Sequence, residues 1–335
     1  MQPPLVSILI PFKNTANYLP ACLNSLISQS YYNWEALAID DKSSDTSNAI
    51  VSSFCKQDKR IKCYRNEGQG IIAALRTAYR HSTGNFITRM DSDDIMRENK
   101  LELLLTGLIR YGKGHVAIGK VKYFSEVGIS NGYARYEAWL NLLTTTGINY
   151  SEIYKECVIP SPCWMTYKED LERCGAFSPN RYPEDYDLTF RFYENGLKCI
   201  PSNEVLHLWR DYATRTSRTS EHYAQNYFLD IKLHYFLKLD RDPMRPLVIW
   251  GAGNKGKTIA SKLVNKSIEF CWICDNPKKI GKKIYGQELT HYKNIEHLEN
   301  PQSIITVANE DAQNMISSYL AGLAQTSMQD YFFFC

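Results

Sequence analysis

A segment with three carboxylates, residues 91–94 (Asp-Ser-Asp-Asp), points most directly to chemistry. It follows a short apolar run at 86–88 and precedes leucines at helical spacing. This pattern places the carboxylates after a strand, where open α/β sheets bind ligands. Their mutual repulsion would be costly unless a cation lies among them. Mg²⁺ and Mn²⁺ accept carboxylate oxygen and often share it with a substrate phosphate. An acidic loop that caps the next helix is the alternative interpretation.

Two earlier segments also combine an apolar strand with polar or turn residues at its end. The first run, at 5–10, is followed by Pro11, Phe12 and Asn14, and the second, at 34–39, is followed by Asp40 and Asp41. Helical patterns separate the runs, and strands that alternate with helices predict a mostly parallel sheet. Because the carboxyl ends of parallel strands meet at one edge, we expect Asp41 and Asp91 to face the same crevice.

Four segments, in this order, resemble the motifs of family 2 glycosyltransferases: residues 7–14, 40–45, 91–94 and 183–191. The resemblance covers residues 4–220. It implies the GT-A type of nucleotide-diphospho-sugar transferase fold, a mostly parallel α/β sheet with flanking helices. It also implies transfer of a sugar from a nucleotide-diphosphate sugar, with a UDP-sugar as the expected donor, to a glycan or lipid-linked acceptor with inversion of the anomeric carbon.

The resemblance gives individual residues expected roles. Asp185 matches the general base, a role that typically contributes ~10²–10⁴-fold in rate. Asp93 and Asp94 match positions that bind the ribose and a divalent cation, Mn²⁺ or Mg²⁺, and His207 is a further candidate metal ligand. The residues expected to bind the donor are Pro11, Phe12, Asn14, Asp41, Arg76, Asp91, Ser92, Asp93, Arg210 and Arg218.

Several of these residues also have an ordinary structural interpretation. Asp41 could cap the helix that begins near Asp45, and Asp185 could belong to the acidic first turn of a helix, which the helix dipole favours. Arg76 could be a solvated surface charge, and His207 could pack against the sheet.

A further series of strand, turn and helix begins near residue 247. Gly251, Gly253 and Gly256 follow the strand, and a further strand ends near Asp275. Glycines at this spacing allow a phosphate to approach a helix N-terminus. We expect a GT-A domain at 1–215, a helical connector at 216–245 and a small Rossmann-like α/β domain at 246–335. The last could bind a nucleotide or nucleotide sugar, or could serve packing or homo-oligomer formation.

Length and composition limit the classes of function. The 335 residues predict two domains, and 44% hydrophobic with 22% charged residues describes an ordinary globular protein. A net charge of +3 is too small to favour nucleic acid as a partner. No apolar stretch approaches the ~20 residues of a membrane span, and no secretory signal is visible. Ten cysteines without metal-site spacing favour a cytoplasmic protein with free thiols, which would visit the inner face of the membrane if its acceptor is lipid-linked.

Two other functions are compatible with parts of this pattern. A nucleotidyltransferase also uses acidic pairs on such a sheet, but would normally have a glycine-rich basic loop where this chain has residues 11–14 (Pro-Phe-Lys-Asn). A non-catalytic nucleotide-sugar-binding protein that acts through the C-terminal domain would not depend on Asp185.

Overall fold

The computed structural model describes residues 3–215, 218 and 228–335. The chain divides into two compact units, Met1–Tyr150 with Val158–Ala224 and Ser151–Cys157 with Gln225–Cys335. The connector predicted at 216–245 lies partly outside the described residues, at 216–217 and 219–227. Within its described part, helix begins at Leu229.

Two sheets organise the first unit. The strands are β1 (Val6–Phe12), β2 (Trp34–Asp40), β3 (Ile61–Arg65), β4 (Phe86–Arg89), β5 (Ile95–Met96), β6 (His115–Ile118), β7 (Lys120–Phe124), β8 (Trp164–Tyr167), β9 (Lys198–Ile200) and β10 (Val205–Arg210). Seven of them form a sheet in the order β3-β2-β1-β4-β8-β6-β9. The strands β1 to β4 are parallel, as the alternation of strands and helices predicted, and β8 is antiparallel to both β4 and β6.

Helices of the first unit lie between and beside these strands in the sequence. They are α1 (Leu19–Ile27), α2 (Ser47–Gln57), α3 (Ile71–His81), α4 (Lys100–Tyr111), α5 (Asn131–Thr146), α6 (Lys168–Arg173) and α7 (Glu184–Glu194). Every residue of β1 and β2 is buried, as in a parallel sheet covered on both faces. Leucines of α1 share one hydrophobic core with the apolar side chains of these strands. Packing of β1 and β2 in this core therefore fixes the positions of the loops that follow them.

The second sheet of this unit has three strands in the order β5-β10-β7. The strand β5 directly follows the acidic segment at 91–94, and β10 pairs with it antiparallel, with His207 opposite Met96. This pairing returns a distant part of the chain to the acidic segment. Residues after β10 can therefore contact the carboxylates.

The second unit contains a six-stranded sheet. Its strands are β11 (Leu247–Trp250), β12 (Cys271–Cys274), β13 (Lys283–Ile284), β14 (Gln287–His291), β15 (Gln302–Ile305) and β16 (Tyr331–Phe333), and its helices are α8 (Leu229–Tyr235), α9 (Asn254–Asn265) and α10 (Glu310–Gly322). The order is β13-β14-β12-β11-β15-β16, and all pairs except β13 with β14 are parallel. No described helix of the chain is both long and apolar enough to cross a bilayer.

Candidate active site

The loops after β1 and β2 are joined by hydrogen bonds between their backbones and side chains. Asn14 donates its backbone N–H to Ser43 Oγ at 3.1 Å, and its Oδ1 accepts from the Ser44 N–H at 2.7 Å. The Asp41 N–H donates to the carbonyl of Phe12 at 2.9 Å. Pro11 and Phe12 are buried in β1. The residues predicted from the first two motifs thus lie together at one sheet edge.

Asp41 organises the adjacent loop. Its Oδ1 accepts from Asn66 Nδ2 at 2.6 Å and from the Gly70 N–H at 3.0 Å, while Lys13 Nζ lies 3.6 Å from Oδ2. The loop conformation depends on Gly70, whose φ of +83° lies in the region that favours glycine. Asp41 is therefore held in place by the segment between β3 and α3, with Oδ2 turned toward the exposed Lys13.

The acidic segment after β4 presents its carboxylates differently. Asp91 accepts from Arg89 Nε at 2.9 Å, and the half-buried Asp93 accepts from the Tyr212 hydroxyl at 2.9 Å. Ser92 Oγ accepts from Thr15 Oγ1 at 3.1 Å, which connects this segment to the loop after β1. Asp91 and Asp93 remain partly exposed. These are the two carboxylates of the segment that a ligand can reach.

Asp94 is fully buried, and both of its oxygens are engaged inside the protein. Oδ1 accepts from the Arg210 N–H at 2.8 Å, and Oδ2 lies 2.9 Å from His207 Nε2. The other ring nitrogen of His207, also fully buried, lies 3.3 Å from Lys100 Nζ. Asp94 and His207, two of the three residues predicted as metal ligands, are thus taken up by this internal network. Burial, and then the charge of Lys100, lower the pKa of His207, which favours the neutral ring.

Charge repulsion is concentrated at Asp93. Burial, followed by the charges of Asp94 and Asp91, raises the pKa of Asp93 to about 7. Arg215 opposes this shift, and its guanidinium lies over the ring of Trp209 at 5.1 Å. An additional positive charge beside Asp93 would therefore favour its ionised form.

Asp185 lies in the first turn of α7. Its Oδ1 accepts from the N–H of Tyr186 at 2.8 Å, and burial, then the charge of Glu184, raises its pKa. Arg89 lowers the same pKa and also donates from Nη1 to Glu184 at 2.9 Å. Since Arg89 also binds Asp91, the amino end of α7 is connected to the acidic segment. We call Asp41, Asp91, Asp93 and Asp185 the acidic edge.

The arginines predicted to bind the donor are in different surroundings. Arg210 donates from Nε to the Asp93 carbonyl at 2.7 Å, and its guanidinium lies 4.9 Å from the ring centre of Tyr18. Arg218 forms two hydrogen bonds with Asp211, at 3.0 and 2.7 Å.

The guanidinium of Arg76 is engaged in hydrogen bonds within the protein. It donates to the carbonyls of Phe177 and Ser178 at 3.0 and 2.9 Å, and to Asn180 Oδ1 at 2.9 Å. These bonds fasten α3 to the loop that precedes α7. Arg76 therefore has a structural explanation that the sequence alone did not give.

Four residues near the acidic edge were not singled out as site residues from the sequence: Arg89, Lys100, Glu184 and Tyr212. Arg89 and Lys100 left a signal, because each is a basic residue directly beside a predicted apolar element. Both are buried, at 5% and 0% exposed, and buried basic residues are normally paired. Apart from Asp91, which is two residues from Arg89, their partners come from distant parts of the chain.

In the second unit, Gly251 and Gly253 lie between β11 and α9, and Gly256 lies in the first turn of α9; we call this segment the glycine turn. Gly251 has φ of +114°, and a Cβ added to Gly256 would lie 2.1 Å from the Gly251 carbonyl oxygen. A Cβ added to Gly253 would have no neighbour within 4 Å. Asp275 is exposed after β12. Close packing of backbone on backbone thus explains Gly256 without a ligand.

No group of three or more His, Cys, Asp or Glu side chains among the described residues is arranged to hold a metal ion by itself. A cation that also uses substrate phosphate needs only one or two protein carboxylates. Asp93, partly exposed and repelled by two neighbouring acids, is suited to that arrangement.

Two solved structures have a similar fold. The chain aligns with S. aureus TarS 1-349 in complex with UDP-GlcNAc at a TM-score of 0.55 and 18% identity, over 78% of this chain and 72% of that one. It aligns with the mannosyltransferase PcManGT from Pyrobaculum calidifontis, in complex with GDP-Man and Mn²⁺, at a TM-score of 0.53 and 19% identity, over 79% and 75%. These similarities confirm the predicted GT-A type fold.

Curated relatives have higher sequence identity. Glycosyltransferase GlyA of Streptococcus pneumoniae is 34% identical over 211 residues, which are 61% of this chain and 30% of GlyA. UDP-Glc:alpha-D-GlcNAc-diphosphoundecaprenol beta-1,3-glucosyltransferase WfgD of Escherichia coli is 34% identical over 172 residues, 51% of this chain and 56% of WfgD. This chain therefore spans less than two thirds of the length of either relative.

The family comparison covers much of the first unit. Residues 7–175, about half of the chain, match the family described as Glycosyl transferase family 2. This range includes the first three predicted motifs and ends before Asp185, and it does not extend to the second unit, whose Rossmann-like character stays a prediction. The chain belongs to glycosyltransferase family 2.

Proposed function

We propose that this protein transfers a sugar from a nucleotide-diphosphate sugar to a hydroxyl of a glycan or lipid-linked acceptor, with inversion at the anomeric carbon. The observation that carries the proposal is the acidic edge. There the charge of Asp91 contributes to the raised pKa of Asp185, and the two residues are connected through Glu184 and Arg89. This connection supports Asp185 as the proposed base, because it links the amino end of α7 to the motif expected to bind the donor.

The donor would lie along the loops after β1, β2 and β4. Asp41, fixed by Asn66 and the Gly70 N–H, is the proposed partner for the base or ribose. Asp91, Ser92 and Asp93 follow along the edge. A UDP-sugar is our proposed donor; TarS has been crystallised with UDP-GlcNAc, and the name of WfgD specifies UDP-Glc.

Neutralisation of the leaving diphosphate is assigned to cations at the acidic edge. We propose that Asp93 holds Mn²⁺ or Mg²⁺ jointly with the diphosphate. We also propose that Arg210, whose Nε donates to the Asp93 carbonyl, supplies a second positive charge for the diphosphate. A bound divalent ion would act as a Lewis acid that stabilises the departing phosphate oxygens. We assign no metal to Asp94 or His207, because they contact each other and Arg210 or Lys100.

The proton of the acceptor hydroxyl goes to Asp185. As the acceptor oxygen bonds to the anomeric carbon, the bond from that carbon to the diphosphate breaks, and the carboxylate takes the proton. Because burial and Glu184 raise the pKa of Asp185, this carboxylate is a stronger base than an exposed aspartate. One base suffices for inversion, whereas glycoside hydrolases use two carboxylates.

Product analysis tests this proposal. The purified protein is incubated with UDP-glucose or UDP-GlcNAc, Mn²⁺ and a lipid-linked or oligosaccharide acceptor, and the new linkage is examined by NMR. We expect a β-linked product from these α-linked donors. A nucleotide monophosphate adduct in place of a glycoside, or an α-linked product, would contradict the proposal.

A further inference from the structure

Arg89 is a buried cation at the end of β4 that contacts two parts of the proposed site. Its Nε donates to Asp91 Oδ1 and its Nη1 donates to Glu184 Oε1, each at 2.9 Å. The Arg89 side chain is 6% exposed, and that of Glu184 is 7% exposed. One guanidinium therefore connects the acidic segment after β4 with the first residue of α7.

We propose that Arg89 is a positioning residue that holds the general base at a fixed place relative to the donor motif. Asp185 directly follows Glu184, so the Arg89–Glu184 bond locates the turn of α7 that carries the base. The inference rests on the proposed function, because it takes Asp185 to be the base. Arg89 itself is not assigned a contact with substrate.

The planar fork of arginine suits this connection. Its separate N–H groups can bind carboxylates that approach from two directions, whereas a lysine ammonium is a compact point charge on a flexible stem. Glu184 also depends on the bond, because its Oε2 is buried without a hydrogen-bond partner among the described residues. Loss of Arg89 would leave this buried carboxylate uncompensated, which is strongly unfavourable.

Arg89 also contributes to the charge around the base. The groups that act on Asp185 are the carboxylates of Glu184 and Asp91, the Arg89 guanidinium and the N–H of Tyr186. Of these charged side chains, Arg89 alone favours the ionised form of Asp185. Removal of its charge should therefore raise the pH at which the base becomes active, and removal of the Glu184 charge should lower it.

Arg191, on the helix α7 that carries Glu184 and Asp185, provides a matched control. It is also buried, donates from Nε to Asp187 at 2.8 Å and from Nη1 to the Ala176 carbonyl at 2.7 Å. These contacts stabilise α7 without reaching the acidic segment. Substitution of Arg191 should reduce stability and leave the pH dependence of transfer unchanged.

The experiment compares Arg89→Lys, Arg89→Met, Glu184→Gln and Arg191→Lys in the full chain. Circular dichroism and thermal unfolding report folding, calorimetry reports UDP-sugar binding, and kcat is measured from pH 5 to 9. For Arg89→Lys we expect kcat to fall at least tenfold, with donor affinity within about threefold of wild type. The acidic limb of the kcat profile should move up by about one pH unit in Arg89→Met and down in Glu184→Gln.

Each outcome decides one part of the account. Opposite shifts in Arg89→Met and Glu184→Gln, with none in Arg191→Lys, support the inference. If Arg89→Met does not fold, Glu184→Gln decides, and an unchanged profile in that variant overturns the inference. Transfer by wild type, with Arg89→Lys as active as wild type, overturns the inference alone. A wild-type protein that transfers no sugar overturns the proposed function and the inference with it.

Discussion

The acidic edge of the first unit and the glycine turn of the second both lie at the ends of parallel strands, but their residues meet different physical demands. At the acidic edge, burial and like charges raise the pKa values of Asp93 and Asp185. At the glycine turn, Gly256 allows α9 to approach the Gly251 carbonyl.

This difference shows why a motif is weaker support for a ligand than the environment of its side chains. The buried carboxylates of the acidic edge repel one another, and a bound cation or a proton would reduce this repulsion. Such perturbed groups are candidates for function. The glycine turn is explained by backbone packing, so its resemblance to a phosphate-binding loop does not by itself require a phosphate. Changes at the two places should therefore affect different properties.

Asp185→Asn should have the largest effect on transfer. The amide cannot take the acceptor proton, so we expect kcat to fall by ~10²–10⁴-fold. UDP-sugar affinity should stay within a few-fold of wild type, because the proposed donor contacts come from other loops. Steady-state kinetics and calorimetry measure the two quantities. A variant that keeps more than half of the wild-type kcat would remove Asp185 from the account.

Gly256→Ala should have the largest effect on the second unit. Its Cβ would lie 2.1 Å from a backbone oxygen, and overpacking of this kind typically costs about 1–3 kcal/mol. We expect a lower unfolding temperature in calorimetry. Gly253→Ser is the control, because position 253 has open space and is the N-cap of α9, which accepts serine well. Equal stability of the two variants would contradict the packing explanation.

The pH dependence of transfer should follow Asp185. Its pKa is raised to about 7, mainly by burial and then by Glu184. Because the ionised form is the base, kcat should rise with pH through about 7 and fall about tenfold for each unit below it. Measurements at saturating donor and constant Mn²⁺ test this expectation. An acidic limb near pH 4, the value typical of an unperturbed aspartate, would show that the base is not in this environment.

Arg218→Ala should have the smallest effect. Its side chain is 37% exposed, and its two hydrogen bonds go to Asp211 and not to a carboxylate of the acidic edge. We expect kcat and donor affinity within about threefold of wild type. Arg210→Ala, measured in parallel, should weaken donor binding more, because Arg210 contacts the Asp93 carbonyl. A larger loss of donor affinity in Arg218→Ala than in Arg210→Ala would show that Arg218 contributes to donor binding.

Much of the acidic edge could be predicted from sequence because strand period and parallel topology are local signals. The apolar runs before Asp41 and Asp91 correspond to strands β2 and β4, and both residues lie at the same edge of the sheet. The mostly parallel sheet followed from the same pattern, and the GT-A type fold followed from the family resemblance. The antiparallel direction of β8 did not, because periodicity carries no information about strand direction.

The orientation of individual side chains could not be predicted in the same way. Asp93 and Asp94 are neighbours in the sequence, but only Asp94 turns into the protein, where His207 from β10 meets it. Similarly, Arg89 and Glu184 are 95 residues apart. Contacts between such distant residues depend on how β10 and α7 pack, which no local pattern specifies.

The most direct test of the central claim asks whether the acidic edge or the glycine turn binds the donor. Thermal unfolding of wild type, Asp93→Ala and Gly253→Val is measured with UDP-sugars, with and without Mn²⁺. A donor at a hundredfold excess over its Kd should stabilise the wild type by about 2.7 kcal/mol. We predict that this stabilisation requires Mn²⁺, disappears in Asp93→Ala and persists in Gly253→Val. Stabilisation that persists in Asp93→Ala and disappears in Gly253→Val would contradict the account.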